Sequence, residues 1–206
     1  MSASDTKKAV AAVLVRRADP EQDMQHVDEI HRIVNAAYRS DAGWTHETHL
    51  IKEERITKEG VKDVLHDKVN LLLLAFDSET NQLLGTIQLD PAEFYPDFGE
   101  YEKDGHATSY LETMPKENQI FLGLISVDPL QQSRGIGGKL VREGLRYAKE
   151  TMGRKQAVVY VLFQRTELAE WYKRIGFVDY GEKVPYPDQA RTKQEDVHFT
   201  VLRMAL

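Results

Sequence analysis

The chain has 206 residues, 41% hydrophobic and 29% charged, with 33 acidic against 27 basic side chains and a net charge of -6. That length and composition fit one globular domain with room for an elaboration, not a disordered or fibrous chain. Cysteine is absent, which excludes disulfide frameworks, thiolate nucleophiles and cysteine zinc sites, and the acidic balance argues against nucleic acid as a partner.

Taken in chain order, residues 9–15 read as a buried first strand. Lys7 and Lys8 weakly imitate the start of a signal peptide, but the run ends in Arg16-Arg17 with no small-residue cleavage site. Neither this run nor 71–76 approaches the roughly 20 apolar residues that span a bilayer. The expectation is therefore no membrane partner and a cytoplasmic location. Asp19-Pro20 with Gln22 marks a helix start, where the carboxylate caps N–H groups and proline fits the first turn. Met24, Val27, Ile30, Val34 and Tyr38 follow at helical spacing. The stretch Ser40-Asp41-Ala42-Gly43-Trp44 leads into a second helical region ending near His66. Residues 71–76 and 83–89, separated by Ser78-Glu79-Thr80-Asn81, predict a hairpin.

Residues 91–118 differ in texture, with Pro91, Pro96, Pro115, Gly99 and Gly105 among Phe94, Tyr95, Phe98, Tyr101 and Tyr110. A stretch this long inside a compact domain carries function or structure of its own. It reads as an insertion between the third and fourth strands. Beyond it, 120–127 predicts a strand, 135–152 a helix, 157–163 a strand and 167–174 a short helix, with closing strands at 177–184 and 197–204. The whole chain, 1–206, reads as one α/β (α+β) domain around a mixed sheet, mostly antiparallel with one parallel crossover.

The segment with chemical content is Val127-Asp128-Pro129-Leu130-Gln131-Gln132-Ser133-Arg134-Gly135-Ile136-Gly137-Gly138-Lys139. A strand ends, a tight glycine loop follows, and an amphipathic helix begins at once. Gly135 and Gly137 let backbone approach a phosphate, the helix start presents unpaired N–H groups, and Arg134 adds a guanidinium. A P-loop is excluded, because Ser133 stands where its first glycine belongs and Leu140 where its hydroxyl belongs. A dinucleotide fingerprint fails too, since Leu140 occupies its third small position.

What remains, Gln132-Ser133-Arg134-Gly135-Ile136-Gly137, resembles the coenzyme-A loop of the GNAT acetyltransferases. Leu168-Ala169-Glu170-Trp171-Tyr172-Lys173-Arg174-Ile175-Gly176-Phe177 is similar to that family's second motif. The resemblance is good over about 69–180 and looser across the N-terminal helices. Tyr38-Arg39, Gly43-Trp44-Thr45, Glu47, Arg55, Arg165, Glu167-Leu168, Gly181-Glu182 and Pro185-Tyr186-Pro187 look like a bacterial and fungal subgroup. One departure matters: many members carry Asn seven residues before the helix tyrosine, and here Arg165 stands there.

The resemblance implies a GNAT fold with about seven strands, a splayed parallel pair and about four helices. It implies acetyl-CoA as cofactor, its pantetheine arm along Ile125, Ser126 and Val127 and its pyrophosphate on Gln132, Ser133, Arg134, Gly135, Ile136, Gly137 and Gly138. It further implies N-acetyl transfer to a primary amine of a small molecule or peptide, with Tyr172 as general acid and backbone N–H near Val127 holding the oxyanion. Lys139 and Arg142 would stand near the coenzyme's outer phosphate. Glu47 is the first candidate for the base, a water chain being the other route, and Trp44, Glu47 and Arg55 are candidate acceptor-binding residues. A homodimer is left open by the dimers frequent in the family. The competing function is a non-catalytic coenzyme-A sensor or assembly domain. His46-Glu47-Thr48-His49 is no zincin motif, because its histidines are three rather than four apart, so no metal is expected.

Overall fold

The computed structural model describes residues 12–94, 102–103 and 114–206, with backbone alone at 102–103. The strands are β1 (Val13–Arg17), β2 (Leu71–Asp77), β3 (Leu83–Pro91), β4 (Glu102–Lys103), β5 (Gln119–Val127), β6 (Gln156–Leu162), β7 (Val178–Pro185) and β8 (His198–Ala205). They form one sheet in the order β1-β2-β3-β5-β6-β8-β7-β4, in which only β5 and β6 run parallel. The α-helices are α1 (Val27–Arg39), α2 (Lys58–His66), α3 (Ile136–Glu150) and α4 (Thr166–Ile175). The seven expected strands and four helices are present, and β4 is a two-residue addition.

Helices cover both faces of the sheet. Leu73, Ala75, Ile87 and Leu89 pack with Leu140, Val141 and Leu145 of α3 and Tyr172 of α4. Leu72, Leu74 and Phe76 pack instead with Ile30, Ile33 and Val34 of α1 and Val61 and Leu65 of α2. This explains the unbroken apolar run of β2: alternate side chains point to opposite faces, and each face meets a helix. Truncating a fully buried leucine such as Leu140 would cost about 2–5 kcal/mol.

Three boundaries differ from the sequence reading. The described part of the first strand begins at Val13 and includes Arg16 and Arg17, while residues 9–11 lie outside the described part. Arg16 fits an edge strand because its guanidinium pairs with buried Asp23 at 2.7 Å and lies over the Phe76 ring. Asp19 does accept from the N–H groups of Glu21 and Gln22, but only a 3-10 turn at Asp23–His26 follows before α1 begins. Between α1 and α2, residues 40–57 are a non-helical loop rather than part of a long second helix.

The expected insertion starts at the end of β3. Its β4 pairs with β7 through Glu102↔Lys183 and Lys103↔Glu182, at the far edge of the sheet. Its base is fastened by Arg154, which donates to both carboxylate oxygens of Glu93 at 2.8 Å. Tyr95, Phe98, Tyr101 and Tyr110 lie outside the described residues. No helix among the described residues is long and apolar enough to cross a membrane.

Candidate active site

The parallel pair opens the site. β5 pairs with β6 only through Gln119↔Gln156, Ile120↔Ala157 and Phe121↔Val158, while β5 itself runs on to Val127. Its outer half therefore leaves one backbone edge without a strand partner, open to an extended ligand. The cause of the parting is a bulge. Thr86 pairs with Ser126 and Gln88 with Gly123, so two residues of β5, Leu124 and Ile125, oppose Ile87 alone. Leu124 takes a left-handed φ of 43°, and its carbonyl accepts from the buried Thr86 hydroxyl at 2.7 Å. Gly85 allows the close approach, since a Cβ there would lie 2.3 Å from the Ser126 carbonyl oxygen.

At the end of β5 the chain turns into α3. Asp128 fixes this turn by accepting from the Leu130 N–H at 3.0 Å and pairing with Arg32 of α1 at 2.6 Å. Ser133 and Gly135 adopt left-handed φ values of 66° and 74°, and no side chain caps α3. Successive backbone N–H groups in such a turn, at the positive end of a helix dipole, form an anion cradle.

A cavity of about 370 Å³ lies in front of this loop. Ile125, Ser126, Val127, Gln132, Ser133, Gly135, Ile136, Gly137 and Gly138 all line it, nine of the ten residues expected at the cofactor. The tenth, Arg134, turns away to Asp77 and Gln131. Lys139 reaches the Val13 carbonyl. Trp44 lines the same cavity with Thr45, and its backbone N–H donates to Gln132 Oε1 at 2.9 Å. The structure thus places Trp44 at this first cavity, whereas Glu47 and Arg55 line a second one.

A second cavity, of about 190 Å³, lies behind the first. Ile125, Arg165 and Leu168 line both. Among the described residues, its wall includes Tyr172, Glu47, Arg55, Asp90, Tyr38 and Arg39. Tyr172 is 4% exposed, on the inner side of α4. Burial above all, then nearby Tyr38, pushes its hydroxyl further above the ordinary tyrosine value, against the opposing pull of Arg165, so it stands protonated. Glu47 is 7% exposed and sits between two guanidiniums. Its Oε1 accepts from Arg165 Nη1 at 2.6 Å, and its Oε2 accepts from Arg39.

Asp90 and the junction role of Arg165 escaped the sequence reading. Asp90 is 8% exposed, on β3, with Oδ1 accepting from Gln88 Nε2 at 2.6 Å. A Cβ on Gly123 would lie 3.1 Å from its Oδ2, which places that oxygen against the bulged strand. Burial, with a smaller contribution from Asp67 and against the Gln88 hydrogen bond and nearby Arg55, raises its pKa from an ordinary 3.8 to about 6. The available signal was the polar alternation Thr86, Gln88, Asp90 in an otherwise apolar strand.

The site suits coenzyme A on these observations: a cradle for phosphates, an unpaired strand edge for the amide-bearing arm, and a cleft joining them. The Acetyltransferase (GNAT) family profile matches residues 27–177. Among solved structures, one of yncA, a putative acetyltransferase from Salmonella typhimurium with its cofactor acetyl-CoA, is 16% identical with a TM-score of 0.62, covering 95% of this chain and 94% of that one. A putative phosphinothricin N-acetyltransferase is 18% identical with a TM-score of 0.61, over 95% and 99%. The spermidine/spermine N-acetyltransferase SpeG from Vibrio cholerae, in complex with manganese ions, is 12% identical with a TM-score of 0.60, over 95% and 94%. No curated protein sequence matches. The chain belongs to the GNAT family of acetyltransferases, and is an acyl-CoA-dependent N-acetyltransferase with acetyl-CoA as its cofactor.

Proposed function

We propose that this protein transfers an acetyl group to the primary amine of a small molecule by direct attack in a ternary complex. The observation that carries this reading is the meeting of two cavities at Ile125, Arg165 and Leu168, one beside the anion cradle and one enclosing Asp90 and Tyr172. The second cavity holds about 190 Å³, roughly six waters at about 30 Å³ each, which favours a small acceptor over a folded protein tail.

Acetyl-CoA, when bound, supplies the activated acetyl group; the protein's part is to orient, bind and move protons. The N–H groups from Ser133 to Gly138 would hold phosphate oxygens, and the open edge of β5 would align the pantetheine arm. Backbone N–H near Val127 would supply the donor for negative charge on the acyl oxygen. Asp90 Oδ2 takes the ammonium proton, since a carboxyl near pH 6 is ionised at neutral pH yet basic enough to share a proton. Tyr172 Oη, neutral and buried, keeps the proton that the departing thiolate needs. Both oxygens of Glu47 are occupied by guanidiniums, so its part is to position Arg39 and Arg165 rather than to act as base.

The test is incubation of the purified protein with acetyl-CoA and a panel of primary amines, following thiol release and the acetylated product by mass spectrometry. Thiol and acetyl-amine formed in equal amounts support the reading. Tight acetyl-CoA binding with no transfer to any amine supports a sensor instead.

A further inference from the structure

The two cavities meet at Ile125, Arg165 and Leu168, and of these Arg165 alone is charged. Among the described residues it is also the one charged side chain on the wall of the first cavity. Arg165 is 8% exposed, and its guanidinium is held from several sides. Nη1 donates to Glu47 Oε1 at 2.6 Å, while Nε and Nη2 donate to the hydroxyl and carbonyl of Thr45, each at 3.3 Å. The Tyr38 ring centroid lies 5.3 Å from its central carbon. A guanidinium carries five N–H groups, so two remain for a ligand at the junction. Its charge is not cancelled either: Glu47 is shared with Arg39, and the three groups together carry one positive charge. The other titratable groups on the described wall of the second cavity are Asp90 and Arg55, which interact with each other, and the phenols of Tyr38, Tyr160, Tyr172 and Tyr186.

Transfer between the two cavities places the reacting atoms where they meet. Resting on the transfer reading above, we propose that Arg165 is a catalytic residue whose guanidinium stabilises the sulfur as it leaves as a thiolate. The amine lone pair forms the C–N bond, and the C–S bond breaks with its electron pair left on sulfur. The nitrogen gives up one proton, which replaces the one that Tyr172 Oη passes to the sulfur. That last proton moves late, because an ordinary thiol ionises near about 8.5, below a tyrosine at about 10, and burial lifts Tyr172 further. Until it moves, sulfur carries negative charge, and a cation already fixed at the junction stabilises that charge without having to reorient.

The experiment reads the thiol of bound CoA. Calorimetric titration compares CoA with desulfo-CoA, which lacks the sulfur, from about pH 6 to about pH 9. Titrating groups common to both complexes cancel in the ratio of the two affinities, and with no cysteine in the chain the cofactor's thiol is the only one present. A neighbouring opposite charge lowers a pKa by about 1–3 units, so the preference for CoA is expected to rise about fivefold or more over that range. Arg165→Met leaves the Glu47 carboxylate paired with Arg39; it is expected to lose most of that rise, to keep its affinity for desulfo-CoA, and to lower kcat by about 10²-fold. Arg165→Lys retains a charge and is expected to retain the rise. A flat ratio in the parent, which needs no variant, overturns the proposal, as does an undiminished rise in Arg165→Met or an Arg165→Lys as flat as Arg165→Met. With acetyl transfer to an amine still observed, each of those results leaves the transferase reading standing. Absence of transfer to any amine overturns both.

Discussion

Arg165 Nη1 donates to Glu47 Oε1 across 2.6 Å, tying the start of α4 to the loop after α1. Arg165 lines both the cavity beside the glycine loop and the cavity behind it. Arg39 grips the second oxygen of the same carboxylate. A buried carboxylate with both oxygens engaged holds parts together.

Removing Glu47 leaves two buried guanidiniums facing each other. Breaking such a set by deleting one member costs about 3–5 kcal/mol, which for a chain of this length lowers Tm by roughly 10 °C. Glu47→Ala is therefore expected to melt early in a calorimetric scan, and Glu47→Gln to fall between it and the parent. A Glu47→Gln variant with unchanged Tm and a large loss of kcat would instead make this residue the base.

Asp90 should behave in the opposite way. Its pKa is raised to about 6 chiefly by burial, so its ionised form destabilises the folded state. That penalty is absent below the ordinary value of 3.8, grows as pH rises, and is complete above about 6. Asp90→Asn should thus be more stable than the parent at pH 7–8 by up to about 3 kcal/mol, at about 1.36 kcal/mol per pKa unit, with the difference vanishing toward pH 4. The same substitution should lower kcat by about 10²–10⁴ and remove the rise in rate that the parent shows on going up through pH 6. Urea melts across pH 4–8 and a pH–rate profile check both halves.

How much of this could be read from the letters depended on whether a feature was local. The glycine loop and the tyrosine helix are contiguous segments: the first reads as a phosphate cradle from its own residues, and the second is placed beside it only by the family resemblance. The seven main strands followed from apolar runs broken by turn residues. The bulge was illegible because a leucine, not a glycine, carries its positive φ at Leu124. Asp90 stands out in the letters only as polar alternation with Thr86 and Gln88, and its burial is illegible because the environment comes from Gly123 on a strand more than thirty positions away. Glu47 is legible as a candidate base, but nothing in its own loop shows that Arg39 and Arg165 converge on it from the end of α1 and the start of α4.

Tyr172→Phe removes one oxygen from a cavity that the hydroxyl borders and leaves the ring packed edge-on against Trp171 and Phe177. Stability should change little. If Oη supplies the proton for the departing thiolate, kcat should fall by about 10²–10⁴ with acetyl-CoA affinity unchanged. Calorimetric titration beside steady-state kinetics separates the two, and an unaltered kcat would remove the hydroxyl from the mechanism.

The cradle can be tested through its backbone alone. Gly135 has a φ of 74°, and a Cβ added there would meet nothing within 4 Å. Any penalty for Gly135→Ala is therefore strain, about 1–3 kcal/mol if the left-handed conformation is kept. If the loop relaxes instead, its N–H groups swing out of register with the phosphate. Losing one hydrogen bond to a charged group, worth about 1.5–3 kcal/mol, weakens acetyl-CoA binding by roughly 10–100-fold, and the β-branched Gly135→Val should do more harm. Gly153 is the control, because it has a φ of 66° and equally open surroundings after α3, yet borders neither cavity. Gly153→Ala should cost similar stability by thermal melting and leave acetyl-CoA affinity as it was. Equal affinity loss in both variants would mean that strain anywhere in the fold, and not the geometry of this loop, governs binding.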